Sequence, residues 1–243
     1  MATPIFIAKG TVSSEFRTNR VTIDFTVPSS AAKNDLLLLC CQSSNEFIVA
    51  PSGWDEIGDQ NIQSRSDIGL TRLAVFYKFA ESSDSGSLVS VDTNEDHTMG
   101  QILVFRGVDK LGFASTTNYS SVSGITSGSG TVASPYILSI NSTVKPTRSD
   151  CLILAIASIT RDFNATDNFS RVAINSRITS IAELTDVTVN TGSGGGIVAW
   201  SGSNKVLNTV GMTTAIYDGS ANSQAYGGLI LSLRPRRNLT SFS

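Results

Sequence analysis

The stretch Asp35-Leu36-Leu37-Leu38-Leu39-Cys40-Cys41, written DLLLLCC, places six consecutive apolar residues after a carboxylate. A strand with one wet face alternates apolar and polar residues, whereas a strand covered on both sides can be apolar throughout. The run is far shorter than the roughly 20 residues that span a bilayer as a helix. The stretch therefore predicts a central strand buried on both faces of its sheet.

Short apolar segments of the same kind recur along the whole chain, separated by clusters of Ser, Gly and Asn. Cys151–Ala157 (CLILAIA) is a second continuous run, while VTIDFTV at 21–27 and YILSIN at 136–141 alternate. No segment sustains a helical period, so the pattern indicates an all-β fold. Strands are expected at 20–27, 35–42, 70–79, 86–92, 100–106, 136–141, 150–158, 171–175, 195–201, 208–215 and 227–233.

The second set of segments repeats the first. An offset of 115 residues carries Asp35 onto Asp150 and Trp54 onto Phe169 without a gap. Further along, the offset grows to 124 for Leu73–Phe76 and to 128 for Ile102–Arg106, which predicts an insertion of about a dozen residues between positions 175 and 196. The order of features indicates a pseudo-repeat.

Two domains follow from this repeat, 1–110 and 111–243, the second with an ordered basic tail. The Ser- and Gly-rich segment from Gly107 to Pro135 joins them, and FASTTNYSSV within it alternates like an extra strand. We expect two tandem antiparallel β-sandwich units of jelly-roll or immunoglobulin-like type. The alternative is one large sandwich that both halves share.

Composition excludes several classes of function. Charged residues make up 16% of the chain and the net charge is −2, so no basic excess is present to hold nucleic acid. No apolar run is long enough to predict a membrane span, and no secretory signal is visible at the start. The three cysteines, Cys40, Cys41 and Cys151, lie in apolar runs and form no C-x-x-C, so we expect buried thiols in a protein made in a reducing cytoplasm.

Candidate catalytic and metal-binding residues are few. His97 is the only histidine and lies in the polar segment NEDHT, so we expect it to be solvated. Asp92, Asn94 and Asp96 have the alternating oxygen spacing of a calcium loop, but His97 stands where that loop needs Gly. The glycine run at 192–196 precedes a strand rather than a helix, so it does not predict a phosphate cradle. We therefore expect a protein without enzymatic activity or cofactor.

Aromatic residues leave a second class open, a carbohydrate-binding module that recognises host-surface glycans. Such a module uses exposed aromatic rings, for which Trp54, Tyr77, Tyr119 and Trp200 are candidates. Trp54 and Trp200, however, correspond to aromatic residues in the other half, which favours core positions. The acids that follow Trp54 could belong to a hydrolase site, although adjacent acids are usually surface residues.

Four short motifs occur in an order that resembles one group of proteins: NDLLL at 34–38, APSGW at 50–54, VFYKFA at 75–80 and VFRGVD at 104–109. Together they resemble the β-sandwich virion proteins of tailed bacteriophages, with the pattern GD-L-L, P-P-S-G-W, Y-Y-K-x-A and Y-R-G-V-D. The resemblance covers residues 20–110, with Asn34 in place of Gly and Ala50 in place of Pro. It implies a structural protein of the virion, in head decoration or in the tail or fibre, and it brings no catalytic residues.

Structural roles are expected for the polar and aromatic positions of these motifs. Asp35 is predicted to cap the turn into its strand, Trp54 to cover a sandwich edge, and Arg106 to pair with Asp109 around a glycine. The repeat assigns Asp150 and Phe169 the roles of Asp35 and Trp54.

The two ends of the chain are expected to contact other subunits. PIFIA at 4–8 could add a strand to a neighbour, and the basic tail supplies the clearest charge cluster. The expected partners are other capsid or tail subunits, including further copies of this chain. The tail residues in question are Arg234, Arg236 and Arg237.

Overall fold

A computed structural model describes residues 2–15, 21–44, 47–57, 62–66, 69–93, 97–111, 113, 119–123, 136–140, 144, 146, 148, 150–160, 169–170, 178–189, 195–204, 212–216 and 225–237. Within these ranges every regular element is a β-strand and every pairing is antiparallel, so the predicted all-β class is confirmed. This part of the chain contains no helix with the length and apolar character needed to cross a membrane.

The first half forms one large sheet and one small one. The large sheet has the order β1-β9-β4-β7-β5, with β2 also paired to β9 and β6 to β7, while β3 and β8 form a separate pair. The strands are β1 (Ile5–Lys9), β2 (Ser13–Glu15), β3 (Val21–Thr26), β4 (Leu36–Ser44), β5 (Asp55–Glu56), β6 (Ile62–Ser66), β7 (Gly69–Phe79), β8 (Leu88–Thr93) and β9 (Thr98–Arg106).

The second half is built in the same way. Its five-stranded sheet has the order β10-β17-β12-β15-β14, and a smaller sheet has the order β11-β16-β13. The strands are β10 (Tyr119–Ser123), β11 (Tyr136–Ile140), β12 (Leu152–Thr160), β13 (Phe169–Ser170), β14 (Ile178–Val189), β15 (Gly195–Asn204), β16 (Met212–Ile216) and β17 (Ala225–Leu233). The strand expected at 171–175 lies outside the described residues, and the alternation in FASTTNYSSV corresponds to β10.

The strand β4 lies at the centre of its sheet and is buried on both faces, as its unbroken apolar run predicts. Leu36, Leu38 and Cys40 belong to one apolar cluster, and Leu37, Leu39 and Cys41 belong to the other. Successive side chains of a strand point to opposite faces, so the run supplies both clusters at once. None of these six residues has appreciable solvent exposure.

The two halves share one of these clusters. Leu36, Leu38 and Cys40 pack together with residues of the other half's five-stranded sheet, among them Leu154 and Ile156. The opposite face of β4 is covered by β3 and β8 and by Ile48 and Trp54. The large sheets of the two halves therefore pack directly on each other, which is the arrangement expected of a shared core rather than of two independent units.

Strand registers correct the predicted offset of the repeat. Leu36 lies opposite Phe105 in β9, whereas Leu152 lies opposite Leu233 in β17. With Phe105 carried onto Leu233 by the offset of 128, Leu36 corresponds to Leu152, so the offset for this strand is 116. The predicted value of 115 is wrong by one residue, and such a slip exchanges the two faces of a strand.

The halves differ at their β5 and β14 edges. The second half's insertion adds length to β14, which has 12 residues where β6 has 5. Two register shifts interrupt the pairing of β14, and Ser180, within the first of them, has φ +53°. Phe169 pairs with Ile216 in the small sheet, whereas Asp55, next to Trp54, pairs with Tyr77 in the large sheet. The predicted equivalence of Trp54 and Phe169 is therefore not matched by the pairing of their strands.

The N-terminal segment is used inside the molecule. Its strand β1 pairs with β9 from Ile5 opposite Arg106 to Lys9 opposite Leu103, and the Phe6 ring lies 5.6 Å from that of Phe105. The segment PIFIA is thus paired within its own chain, where β1 is the edge strand of the large sheet, and its contact with a neighbouring subunit stays a prediction.

Candidate functional site

Most of the residues singled out in the sequence meet at one end of β4. We call this region the junction end and define it by Asp35, Arg106–Asp109, Arg148, Asp150 and Arg234–Arg237. At its centre the Arg106 guanidinium donates from Nε to Asp35 Oδ1 at 2.9 Å and from Nη2 to Asp35 Oδ2 at 2.7 Å. Asp35 is only 2% exposed, so its charge depends on this two-point contact. Hydrogen bonding to Asp35 raises the pKa of Arg106.

The turn before β4 is fixed by the same carboxylate. The backbone N–H of Ala32 donates to Asp35 Oδ2 at 2.9 Å, which confirms the predicted capping role. Asn34 has φ +72°, the left-handed region that Gly and Asn tolerate best. This conformation explains why Asn34 can stand where the resembling proteins have Gly.

The predicted pairing of Arg106 with Asp109 is wrong. Gly107 has φ +83° and turns the chain away after β9, while the Arg106 side chain lies along the sheet edge toward Asp35. Asp109 instead accepts a hydrogen bond from the backbone N–H of Leu111 at 3.1 Å.

The ends of β9 and β17 pair with each other and so connect the halves. Val108 forms a bridge with Pro235, the Asp109 N–H donates to the Arg234 carbonyl at 2.8 Å, and the Arg236 N–H donates to the Gly107 carbonyl at 2.7 Å. Under the offset of 128, Pro235 corresponds to Gly107 and Arg236 to Val108. Val108 therefore contacts the counterpart of Gly107, and Gly107 contacts the counterpart of Val108. This is the reciprocal pattern of a two-fold interface.

Asp150 does not take the place of Asp35. It accepts two hydrogen bonds from Arg148, at 3.0 Å from Nε and 3.2 Å from Nη2. Arg234, the counterpart of Arg106, donates instead to the carbonyl of Leu111. The corrected register explains this difference, because Cys151 rather than Asp150 occupies the position equivalent to Asp35.

Exposed basic and apolar side chains adjoin this junction. Leu111 is 74% exposed and Ile5 is 55% exposed, and the side chains of Arg236 and Arg237 are exposed as well. Leu111 is connected to Arg234 by a hydrogen bond, and Ile5 lies opposite Arg106 in the sheet. We call these four residues the junction patch.

A second ion pair fixes the β7–β8 turn. Lys78 Nζ donates to Asp84 Oδ1 at 2.7 Å, and the Glu81 N–H donates to Asp84 Oδ2 at 2.7 Å. Burial acts to raise the pKa of Asp84, but the hydrogen bonds from Lys78 and Glu81 and the charge of Lys78 outweigh it, so the net shift is downward.

The tryptophan rings are not available as platforms. Trp54 and Trp200 are both buried, and Trp54 packs in the cluster between β4 and β3–β8, as a core anchor should. Tyr77 is half-buried; burial and a hydrogen bond to the negative Asp55 raise its pKa. The glycan-binding alternative therefore loses both tryptophans, and the side chains of Tyr119 and Phe169 lie outside the described residues.

The single histidine is not solvated as expected. His97 is fully buried immediately before β9. Asp92 is exposed in β8 and accepts a hydrogen bond from Thr22 Oγ1 at 3.3 Å, while Asn94 and Asp96 lie outside the described residues. In the described part of the chain no three His, Cys, Asp or Glu residues are grouped as metal ligands.

The cysteines are buried free thiols, as predicted. Burial raises the pKa of Cys40 to about 12, and it also raises the pKa values of Cys41 and Cys151. Thiolates are therefore disfavoured at all three positions, so none has the character of a reactive cysteine.

Gly195 and Gly196, the last two residues of the glycine run at 192–196, begin β15 in the structure. A Cβ added to Gly195 would lie 2.1 Å from Gln42 Oε1 of the other half. The glycine therefore serves close packing between the sheets.

Sequence reasoning did not find two groups of polar residues. Arg148 supplies the partner of Asp150, and Ser43, Arg72 and Thr98 are buried at the opposite end of β4. The available signal for the second group was a charged residue inside the otherwise apolar strand LTRLAVF.

In comparisons with protein-family models, curated proteins and solved structures, no match to this chain is found.

Proposed function

We propose that this chain is a non-enzymatic structural protein of a bacteriophage virion that acts through subunit–subunit contacts, in head decoration or in the tail or fibre. The observation that carries this proposal is the junction patch, which presents exposed Leu, Ile and Arg side chains on a backbone that is fixed from both halves. Arginine and large apolar residues are enriched in protein interfaces.

Little of the junction patch has to become ordered when it binds a neighbouring subunit. Arg236 is held through its backbone N–H by Gly107, and Ile5 belongs to a strand. Binding therefore immobilises side chains but not chain segments, which reduces the entropic cost of association. The exposed guanidinium groups of Arg236 and Arg237 favour an acidic surface on the neighbouring subunit.

The resemblance supports the same proposal through residues that maintain the fold. Asp35 and Arg106, from its first and last motifs, form one ion pair, and Trp54 lies in the core. On this proposal each half is derived from one sandwich unit of jelly-roll or immunoglobulin-like type, and the pair forms a stiff building block.

Purified particles test the proposal directly. Quantitative mass spectrometry of gradient-purified virions should detect the chain at a fixed ratio to the major capsid or tail protein. Its absence from particles that contain all other structural proteins would overturn the proposal. Solution mass then separates the two locations, since a monomer that binds only assembled capsids indicates decoration and a stable trimer indicates a fibre.

The patch is tested with matched charge reversals. Arg236→Glu should abolish incorporation into particles without unfolding the protein, since the side chain is exposed. Lys9→Glu is the control, because Lys9 is exposed on β1 at the far end of that strand from Ile5. Equal incorporation of both variants would exclude the patch as the contact surface.

A further inference from the structure

Three polar residues lie side by side at the end of β4 opposite the junction. Ser43 is directly opposite Arg72 in β7 and directly opposite Thr98 in β9. Residues opposite each other in antiparallel strands present their side chains on the same face, with Cβ atoms about 5 Å apart. We call Ser43, Arg72 and Thr98 the far-end row, and their face is the one that packs against β3 and β8. The carboxylate of Glu15 in β2 follows next, since Glu15 lies opposite Thr98.

The far-end row is buried, and four of its polar side-chain atoms have no hydrogen-bond partner among the described residues. Ser43 and Thr98 are fully buried, and Arg72 is 9% exposed. Among the described residues, no hydrogen-bond partner reaches Nε or Nη1 of Arg72, the hydroxyl of Ser43 or the hydroxyl of Thr98. Such a group is unusual, because nearly all buried polar atoms in native proteins are hydrogen-bonded.

The chemistry of these atoms indicates what would satisfy them. A guanidinium stays charged and only donates hydrogen bonds, and the two hydroxyls can rotate to donate as well. A buried cation without a partner is strongly unfavourable, whereas a charge-assisted hydrogen bond to an anionic oxygen relieves that penalty.

The Phe47 ring covers the row. It lies 4.0 Å from Arg72 Cζ and is itself 52% exposed, so it separates the guanidinium from solvent. A rotation of this ring would open the row to the surface. An exposed aromatic side chain has the freedom to make such a movement within nanoseconds.

We propose that Ser43, Arg72 and Thr98 form a binding site for an oxyanion, with Phe47 as its cover. The ligand is a phosphate, sulfate or carboxylate group whose oxygens accept from Arg72 and from the two hydroxyls. This site is separate from the junction patch, so its test does not depend on the proposed role in the virion.

Thermal unfolding of the full chain tests the site. In a chloride buffer of constant ionic strength, sodium phosphate, sulfate or acetate should raise the Tm of the wild type saturably, as expected for a ligand that binds only the folded state. A response to phosphate or sulfate indicates a free ion, and a response to acetate alone indicates a carboxylate supplied by another subunit. An equal Tm in all salts overturns the proposal.

Variants locate the response. Arg72→Met should raise the apparent Kd at least about tenfold, because it removes hydrogen bonds to a charged group. Phe47→Ala should keep the response, while Arg236→Met is the control for a general loss of positive charge. If Arg72→Met does not fold, Ser43→Ala and Thr98→Ala provide the same test with smaller changes. Responses equal to the wild type in the row variants also contradict the site.

Discussion

A buried charged residue lies at each end of β4, and the two residues differ in their hydrogen bonding. At the junction end, Asp35 receives both nitrogens of the Arg106 fork and a backbone N–H. At the far end, Arg72 has two nitrogens without a partner among the described residues. The same strand thus ends beside a fully hydrogen-bonded ion pair on one side and, within the described residues, beside a cation with two unpartnered nitrogens on the other.

This difference distinguishes a structural charge from a candidate binding charge. A buried charge that is fully hydrogen-bonded within the chain fixes a turn and a register, and it leaves nothing to offer a ligand. A buried charge with free donors reduces stability until something binds, so it indicates a site. Stability measurements can therefore separate the two ends.

The largest expected effect concerns the core that connects both ends. Leu154→Ala should lower the free energy of unfolding by about 4 kcal/mol, because it leaves a cavity between the sheets of the two halves. Since Trp54 and Trp200 are buried in different halves, single-tryptophan variants can follow each half during urea unfolding. Both should report one transition, shifted together.

Independent halves would give another result. If Leu154→Ala shifted only the Trp200 signal and left the Trp54 transition in place, the shared core would be excluded. Leu111→Ala is the matched control, since Leu111 is exposed and its truncation should change stability by less than about 0.5 kcal/mol.

The next effect is expected at the junction end. Asp35→Ala should lower the free energy of unfolding by about 3 kcal/mol, because it breaks a buried pair and removes the cap at Ala32. Asp109→Ala, which loses one local hydrogen bond, should lower it by about 1 kcal/mol. Equal losses in urea unfolding would show that Asp35 has no special role.

Parts of this fold follow from sequence, and the reason for the rest is physical. The apolar run of β4 predicted its burial on both faces, yet the same property hid the register. Since every position in Leu36–Cys41 is apolar, an offset of 115 or 116 aligns equally well, and only the opposite residues in β9 decide between them. The pair Asp35–Arg106 was missed for a different reason, because its partners are 71 residues apart in the sequence.

Another prediction failed because polarity was read as exposure. His97 lies in a polar segment that looks solvated, but it is buried. Polar residues at strand ends are often exposed, and nothing local distinguishes those that turn inward. The unpartnered donors of the far-end row are a property of three strands together, so no single stretch of sequence could indicate them.

Substitutions of Arg72 and Arg106 are expected to change the free energy of unfolding in opposite directions. In a buffer without oxyanions, Arg72→Met should raise the free energy of unfolding by about 1 kcal/mol, because an apolar side chain replaces an unpaired buried cation. Arg106→Met should lower it by about 2 kcal/mol, because it leaves the buried carboxylate of Asp35 without its charged partner. A loss of stability in both variants, measured by urea unfolding, would mean that Arg72 is already paired.

The smallest effect is a pH dependence at the β7–β8 turn. The pKa of Asp84 is lowered in the folded state, so its contribution is present above its unfolded pKa of about 3.9 and is lost as the pH falls through the lower folded value. Asp84→Asn should therefore be less stable than the wild type by about 0.5 kcal/mol at pH 7. The difference should shrink as the pH falls below about 3.9 and should close once the pH is below the folded pKa of Asp84. A difference in urea unfolding that does not shrink between about pH 5 and about pH 3 would contradict the pairing with Lys78.

A cryo-EM map of the assembled particle tests the central claim most directly, since it shows which end of the molecule meets a neighbour. The account predicts density for this chain with Leu111 and Arg236 buried against an acidic surface of another subunit. Density in which the junction patch faces solvent, or a particle complete without this chain, would contradict it.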